Sequence, residues 1–174
     1  MGDFKPSPEL KQRLPKPILK GIENHRFVDK ITDQNQGVRD LRNHFSPLRR
    51  RFAGVISDIA FDYFLIKHWT QFSDLEFDQF VDSAYTGLSE CYEYMPPRMS
   101  AIVEAIIEYR WLESYATLDG ISQTIDRVST RIRFDNNLAG GIAEVEQNYD
   151  KFEQVFLNLF AILSEQVNTA QIEV

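Results

Sequence analysis

Asp58 and Asp62 stand one helical turn apart in a stretch, residues 52–69, that is otherwise mostly apolar. At about 100° per residue on a helix over 48–71 they fall about 40° apart. One apolar band (Phe52, Val55, Ile56, Ile59, Tyr63, Ile66) and another (Phe61, Phe64, Leu65) flank them. Two carboxylates in such surroundings repel each other and are poorly solvated, so they call for a cation, an arginine or a raised pKa. A salt bridge to an Arg or Lys of a neighbouring helix is the plain structural alternative. Upstream, His25, Asp29 and Asp33 recur every four residues and form one polar stripe if the helix continues. Imidazole and carboxylate one turn apart suit a divalent cation, and equally a surface hydrogen bond. Trp69 reads as core. His68, turned about 80° from the carboxylate face, reads as a ligand or as a hydrogen-bonded structural histidine. His44 lies in a weakly periodic polar segment and receives no role. The chain has no Gly-rich phosphate loop, no Gly-x-Ser-x-Gly elbow and no His-Glu-x-x-His pair. Cys91 sits beside Glu90 and Glu93, which disfavour a thiolate. Metal-assisted hydrolysis is the enzymatic class for which candidates remain.

Helices must position these groups. Pro6, Pro8, Pro15 and Pro17 predict an extended lead-in over residues 1–17. Beyond it, apolar residues recur at three and four rather than two, predicting helices over 18–32, 37–45, 48–71, 76–94, 97–116, 119–133 and 138–168. Asp33–Gly37 is a turn cluster, Ser46-Pro47 and Met95-Pro96-Pro97 restart helices, and Gly140-Gly141 weakens the last helix near its start. The expected fold class is all-α: a single compact helical domain over 1–174 with about six to seven helices.

Composition narrows the function. With 174 residues, 43% hydrophobic and 26% charged, the chain can bury a core. No apolar run approaches the roughly 20 residues of a membrane span, so a soluble protein is expected. The opening residues fit neither a signal peptide nor a myristoylation site, so the mature chain is expected to begin here. A single cysteine excludes an internal disulfide and fits a reducing cytoplasm. A net charge of -7 argues against nonspecific nucleic-acid binding. The charge is unevenly spread: residues 1–51 carry 12 Lys and Arg against 6 Asp and Glu, and residues 52–174 carry 7 against 20. The basic third is either a solvated face or a docking surface for an acidic partner.

The string from Gly21 to Asp33 (Gly-Ile-Glu-Asn-His-Arg-Phe-Val-Asp-Lys-Ile-Thr-Asp), then Val38-Arg39, then Asp62-Tyr63-Phe64-Leu65-Ile66-Lys67-His68-Trp69, resembles the acyl carrier protein phosphodiesterase family. The similarity is dense over 18–71. It continues more loosely through Pro96-Pro97-Arg98, Trp111-Leu112 with Tyr115, 127–131, and Tyr149 with Phe156. The resemblance implies an HD-like fold and a metal-dependent hydrolase that releases 4′-phosphopantetheine from holo acyl carrier protein. It implies Mn²⁺ or Mg²⁺ held by Asp3, His25 and Asp29. Asp33 matches the family's Thr-Asp. Asp58 and Asp62 would complete the metal shell or act as general base, and His68 would protonate the leaving serine. The partner implied is the carrier, an acidic protein, with Lys16, Lys20, Arg42, Arg49, Arg50 and Arg51 as its docking face. The chain departs from the pattern at its start: members open with a further helix, carrying a histidine near a Leu-Ala pair, that would pack on the site. Two other readings stand beside this one. The first is an HD-like phosphohydrolase of a small nucleotide or phosphoester; the second is a non-catalytic, truncated helical protein that binds an acidic partner.

Overall fold

The computed structural model describes residues 6–134 and 136–173; Asp3 lies outside them. The first helix is started by the residues expected to prevent one. Pro8 occupies the first helical position, where a missing N–H costs nothing, and the Ser7 hydroxyl accepts from the Leu10 amide at 3.2 Å. Helix α1 (Pro8–Arg13) therefore replaces much of the extended lead-in. Pro15 then precedes α2 (Lys16–Gln34), which carries Pro17 in its first turn and runs into the start of the expected turn cluster. It stops at Asn35, whose amide donates to the Thr32 carbonyl and whose Oδ1 accepts from the Val38 amide, both at 3.1 Å. One residue thus ends α2 and caps α3 (Gln36–Leu41).

Two 3₁₀ turns, Arg42–His44 and Arg50–Phe52, lead into α4 (Ala53–Lys67). The backbone breaks at His68 before the short α5 (Trp69–Phe72). Then follow α6 (Phe77–Glu90), α7 (Pro97–Glu108), α8 (Trp111–Ser114), α9 (Leu118–Arg131), α10 (Ile142–Gln147) and α11 (Tyr149–Ala170). Among the described residues there is no strand, and the class is all-α. The helices are more numerous than expected because the long predicted segments break. Arg110, at φ 45°, interrupts 97–116, and Asn148 divides 138–168. Among the described residues, no helix is long and apolar enough to cross a membrane.

Helix α4 is the hub. It buries Ala53, Ile56, Ser57, Ala60, Phe61 and Phe64, packing on α11, α9 and α3. Phe152, Val155, Phe156 and Leu159 meet it from α11, and Ile121 and Ile125 from α9. This explains most of the two apolar bands of the sequence: α4 is covered on much of its circumference, leaving an exposed strip of Gly54, Val55, Asp58 and Asp62. A second layer is built from α6, α7 and α8. In it the buried Tyr85 hydroxyl donates to Glu113 Oε2 at 2.6 Å and accepts from the Leu112 amide at 3.0 Å. Arg110 pairs with Asp82 at 3.0 Å and with Glu113.

Candidate functional site

On α2, the four-residue spacing does what it promised: His25 Nε2 lies 3.3 Å from Asp29 Oδ2. The same helix carries Thr32 and Asp33 to the edge of a cavity of about 360 Å³. Its opposite wall is α4, through Gly54, Val55, Ser57, Asp58 and Phe61. Asp29, Asp33 and Asp58 are therefore three carboxylates on one cavity, contributed by two helices that the sequence separates by about twenty residues or more.

Asp62 faces elsewhere. One turn beyond Asp58, it opens on a smaller, almost wholly apolar cavity of about 210 Å³ formed with Leu65, Ile66, Trp69, Phe77, Phe80, Leu112 and Tyr115. By surface area Asp62 is exposed, yet neighbouring protein crowds its carboxyl group. That desolvation, with the like charge of Asp58 second, raises its pKa from an ordinary 3.8 to about 7. The Tyr115 hydroxyl is pushed up too, by burial and then by the charge of Asp62. The two aspartates are electrically coupled but line different cavities.

His68 does not line either cavity. Its Nε2 lies 2.6 Å from Glu153 Oε1, and Gln71 Nε2 approaches its Nδ1 at 2.9 Å. Lys67 joins the same Glu153 oxygen at 2.6 Å, and this bond chiefly holds the Glu153 carboxyl below its usual range. These bonds tie His68, at the end of α4, to α11 and to its own next turn, outside the lining of both cavities. Trp69, expected in the core, is half-buried instead; its Nε1 donates to the Leu75 carbonyl and its ring meets Phe77 and Phe80.

The basic residues divide into three groups. Arg42, Arg50 and Arg51, with Arg39, line a cavity of about 570 Å³ that also includes Asp33, Val38, Ala53 and Gly54. It shares Asp33, Val38 and Gly54 with the acidic cavity. Arg39 is positioned by its Nε donating to the Asp33 carbonyl at 2.8 Å, and Arg51 by lying over the Phe52 and Phe134 rings at 4.6 and 4.9 Å. Arg49 is not part of this face. It donates to the carbonyls of Asn137 (2.7 Å) and Ala139 (2.8 Å) and lies 3.6 Å from the buried Glu144, so it clamps the α9–α10 loop. Lys16 and Lys20 stand on the first turns of α2 and do not line the arginine cavity. Sequence reasoning gave no role to Arg39. The available signal was the Val38-Arg39 pair, already part of the family-like string.

Carboxylate oxygens with one imidazole are the donor chemistry of a hard divalent cation. His25 and Asp29 are a neighbouring pair of that chemical kind. Among the described residues, however, no group of three His, Cys, Asp or Glu side chains is close enough to hold a metal ion. The described residues fit such an ion in kind, with a further ligand required to close the set.

Residues 1–163 match the family described as acyl carrier protein phosphodiesterase. A relative of that name from Serratia proteamaculans is 33% identical over 89% of this chain and 81% of its own length. One from Pectobacterium atrosepticum is 30% identical with the same coverage, and one from Yersinia pestis is 30% identical over 91% of this chain and 82% of its own. No solved structure matches the chain.

Proposed function

Because the chain belongs to the acyl carrier protein phosphodiesterase family, we propose that it hydrolyses holo acyl carrier protein to the apo form and 4′-phosphopantetheine. The observation that carries the reading is the shared wall. A cavity lined by Asp29, Asp33 and Asp58 adjoins one lined by four arginines, the pairing that an anionic ester cleaved by metal-assisted hydrolysis requires.

His25 and Asp29 would hold a Mn²⁺ or Mg²⁺ ion, with Asp3 as the further ligand. Such an ion would supply polarisation of a phosphoryl oxygen and a lowered pKa for water. Asp58, facing the same cavity from α4, is the general base: it accepts the proton of the attacking water. The water oxygen bonds to phosphorus, the bond from phosphorus to the serine oxygen breaks, and the leaving serine oxygen takes up the proton that Asp58 accepted, which restores the base. Asp62 supports this from one turn away. Its carboxyl titrates near neutrality and sets the electrostatic load on Asp58. His68 is left out of the proton path because Glu153 and Gln71 engage its ring. The arginines attract an acidic carrier and orient its phosphate. The substrate carries a cytoplasmic site of action with it.

The test is mass spectrometry of purified holo acyl carrier protein incubated with the chain and Mn²⁺, beside a His25→Ala variant. The expected result is loss of the phosphopantetheine mass with the parent and its retention with the variant. Retention with both overturns the reading.

A further inference from the structure

We infer that the arginine cavity is a product subsite: it holds the phosphomonoester released by hydrolysis, as its dianion, and so makes that product a reversible inhibitor. The inference rests on the proposed reaction for the identity of the ester, but not for the chemistry of the cavity.

Four guanidiniums line one concave space with a single carboxylate, Asp33, among the lining residues. Arginine cannot relieve such crowding by losing a proton, so the cavity keeps a positive excess at every working pH. Among the described residues, Arg42 and Arg50 make no ion pair. Arg39 and Arg51 are held in place without using a carboxylate, one by a backbone carbonyl and the other by two aromatic faces. All four are exposed, and arginines on one concave surface suit the paired oxygens of a phosphate, which bind guanidinium in bidentate fashion.

Charge distinguishes the two forms of the ester. A phosphodiester carries one negative charge, whereas a monoester above its second pKa of about 6 carries nearly two. Hydrolysis therefore raises the charge of the group beside the arginines, and the cavity holds the product more tightly than the intact linkage. The volume of about 570 Å³ leaves room for an organic arm beyond the phosphate. The shared wall at Asp33, Val38 and Gly54 places this space one side-chain layer from the carboxylates.

The experiment is calorimetric titration of metal-free protein with 4′-phosphopantetheine and, separately, with pantetheine, which lacks the phosphate. The phosphorylated compound is expected to bind at least about tenfold more tightly, and more tightly at pH 8 than at pH 5. Arg50→Gln, which removes no described contact, is expected to weaken its binding about tenfold, as is Arg39→Gln, while the exposed Arg98→Gln leaves it unchanged. Circular dichroism checks that each variant is folded. Equal affinity for the two compounds, or equal binding by parent and Arg50→Gln, overturns the subsite. Failure of the proposed reaction reads differently: monoester binding that depends on Arg50 in a protein that leaves holo carrier intact keeps the subsite and removes the reaction.

Discussion

Asp62 shows how far one turn of helix can separate two like residues. Its partner Asp58 looks across to α2, whereas Asp62 meets the apolar walls supplied by α5, α6 and α8. In the folded chain Asp62 holds its proton up to about pH 7, against 3.8 ordinarily. The stability linked to that proton is complete below pH 3.8 and is lost as pH rises through 7. Asp62→Asn removes the loss. In urea unfolding of metal-free protein, the gain of the variant over the parent should be near zero at pH 4, grow between pH 5 and 7, and level off above; a gain independent of pH would contradict the assignment. The His25–Asp29 pair could be read from spacing because both groups belong to one helix. The different environments of Asp58 and Asp62 could not, since residues 28–38 shape the first and residues 69–115 the second, and neither group is near them in sequence.

At the scale of elements, the lesson lies in Arg49-Arg50-Arg51. The sequence presents three equivalent charges, but they enter a 3₁₀ turn, in which successive side chains point about 120° apart. Arg49 is directed to the α9–α10 loop, while Arg50 and Arg51 line the cavity. Arg49→Gln should therefore cost about 1.5–3 kcal/mol of stability in thermal or urea unfolding, with KM for the carrier unchanged. A raised KM at unaltered stability would return Arg49 to the docking face. The helical class and the approximate positions of α2, α6, α7, α9 and α11 were legible because a 3.6-residue apolar period survives in each, whereas α4, apolar on most sides, announces itself by its long apolar stretch after Pro47. Their breaks were harder to read. Pro8 acts as a helix starter only because Ser7 caps it, and Arg110 adopts a left-handed backbone that no local residue type announces.

Across the whole molecule, charge is sorted along the chain and folding keeps the sorting. The basic third contributes α2, α3 and both 3₁₀ turns, which border the two joined cavities, and the acidic remainder builds the body behind them. Association with an acidic carrier should weaken with salt accordingly. The double charge reversal Lys16→Glu with Arg42→Glu should raise KM for holo carrier roughly threefold to tenfold at low ionic strength and flatten its salt dependence. Unchanged steady-state kinetics at low salt would remove the steering role. The hub arrangement has its own consequence for biosynthesis. The partner that covers α4 most extensively is α11, whose 22 residues follow every other helix in the sequence. While the ribosome is still making α11, Phe61 and Phe64 lack the Phe156 ring that later packs on them, and the nascent chain holds greasy surface open to chaperones and to its neighbours. The carboxylate wall on α4 can become rigid only after translation has passed beyond it.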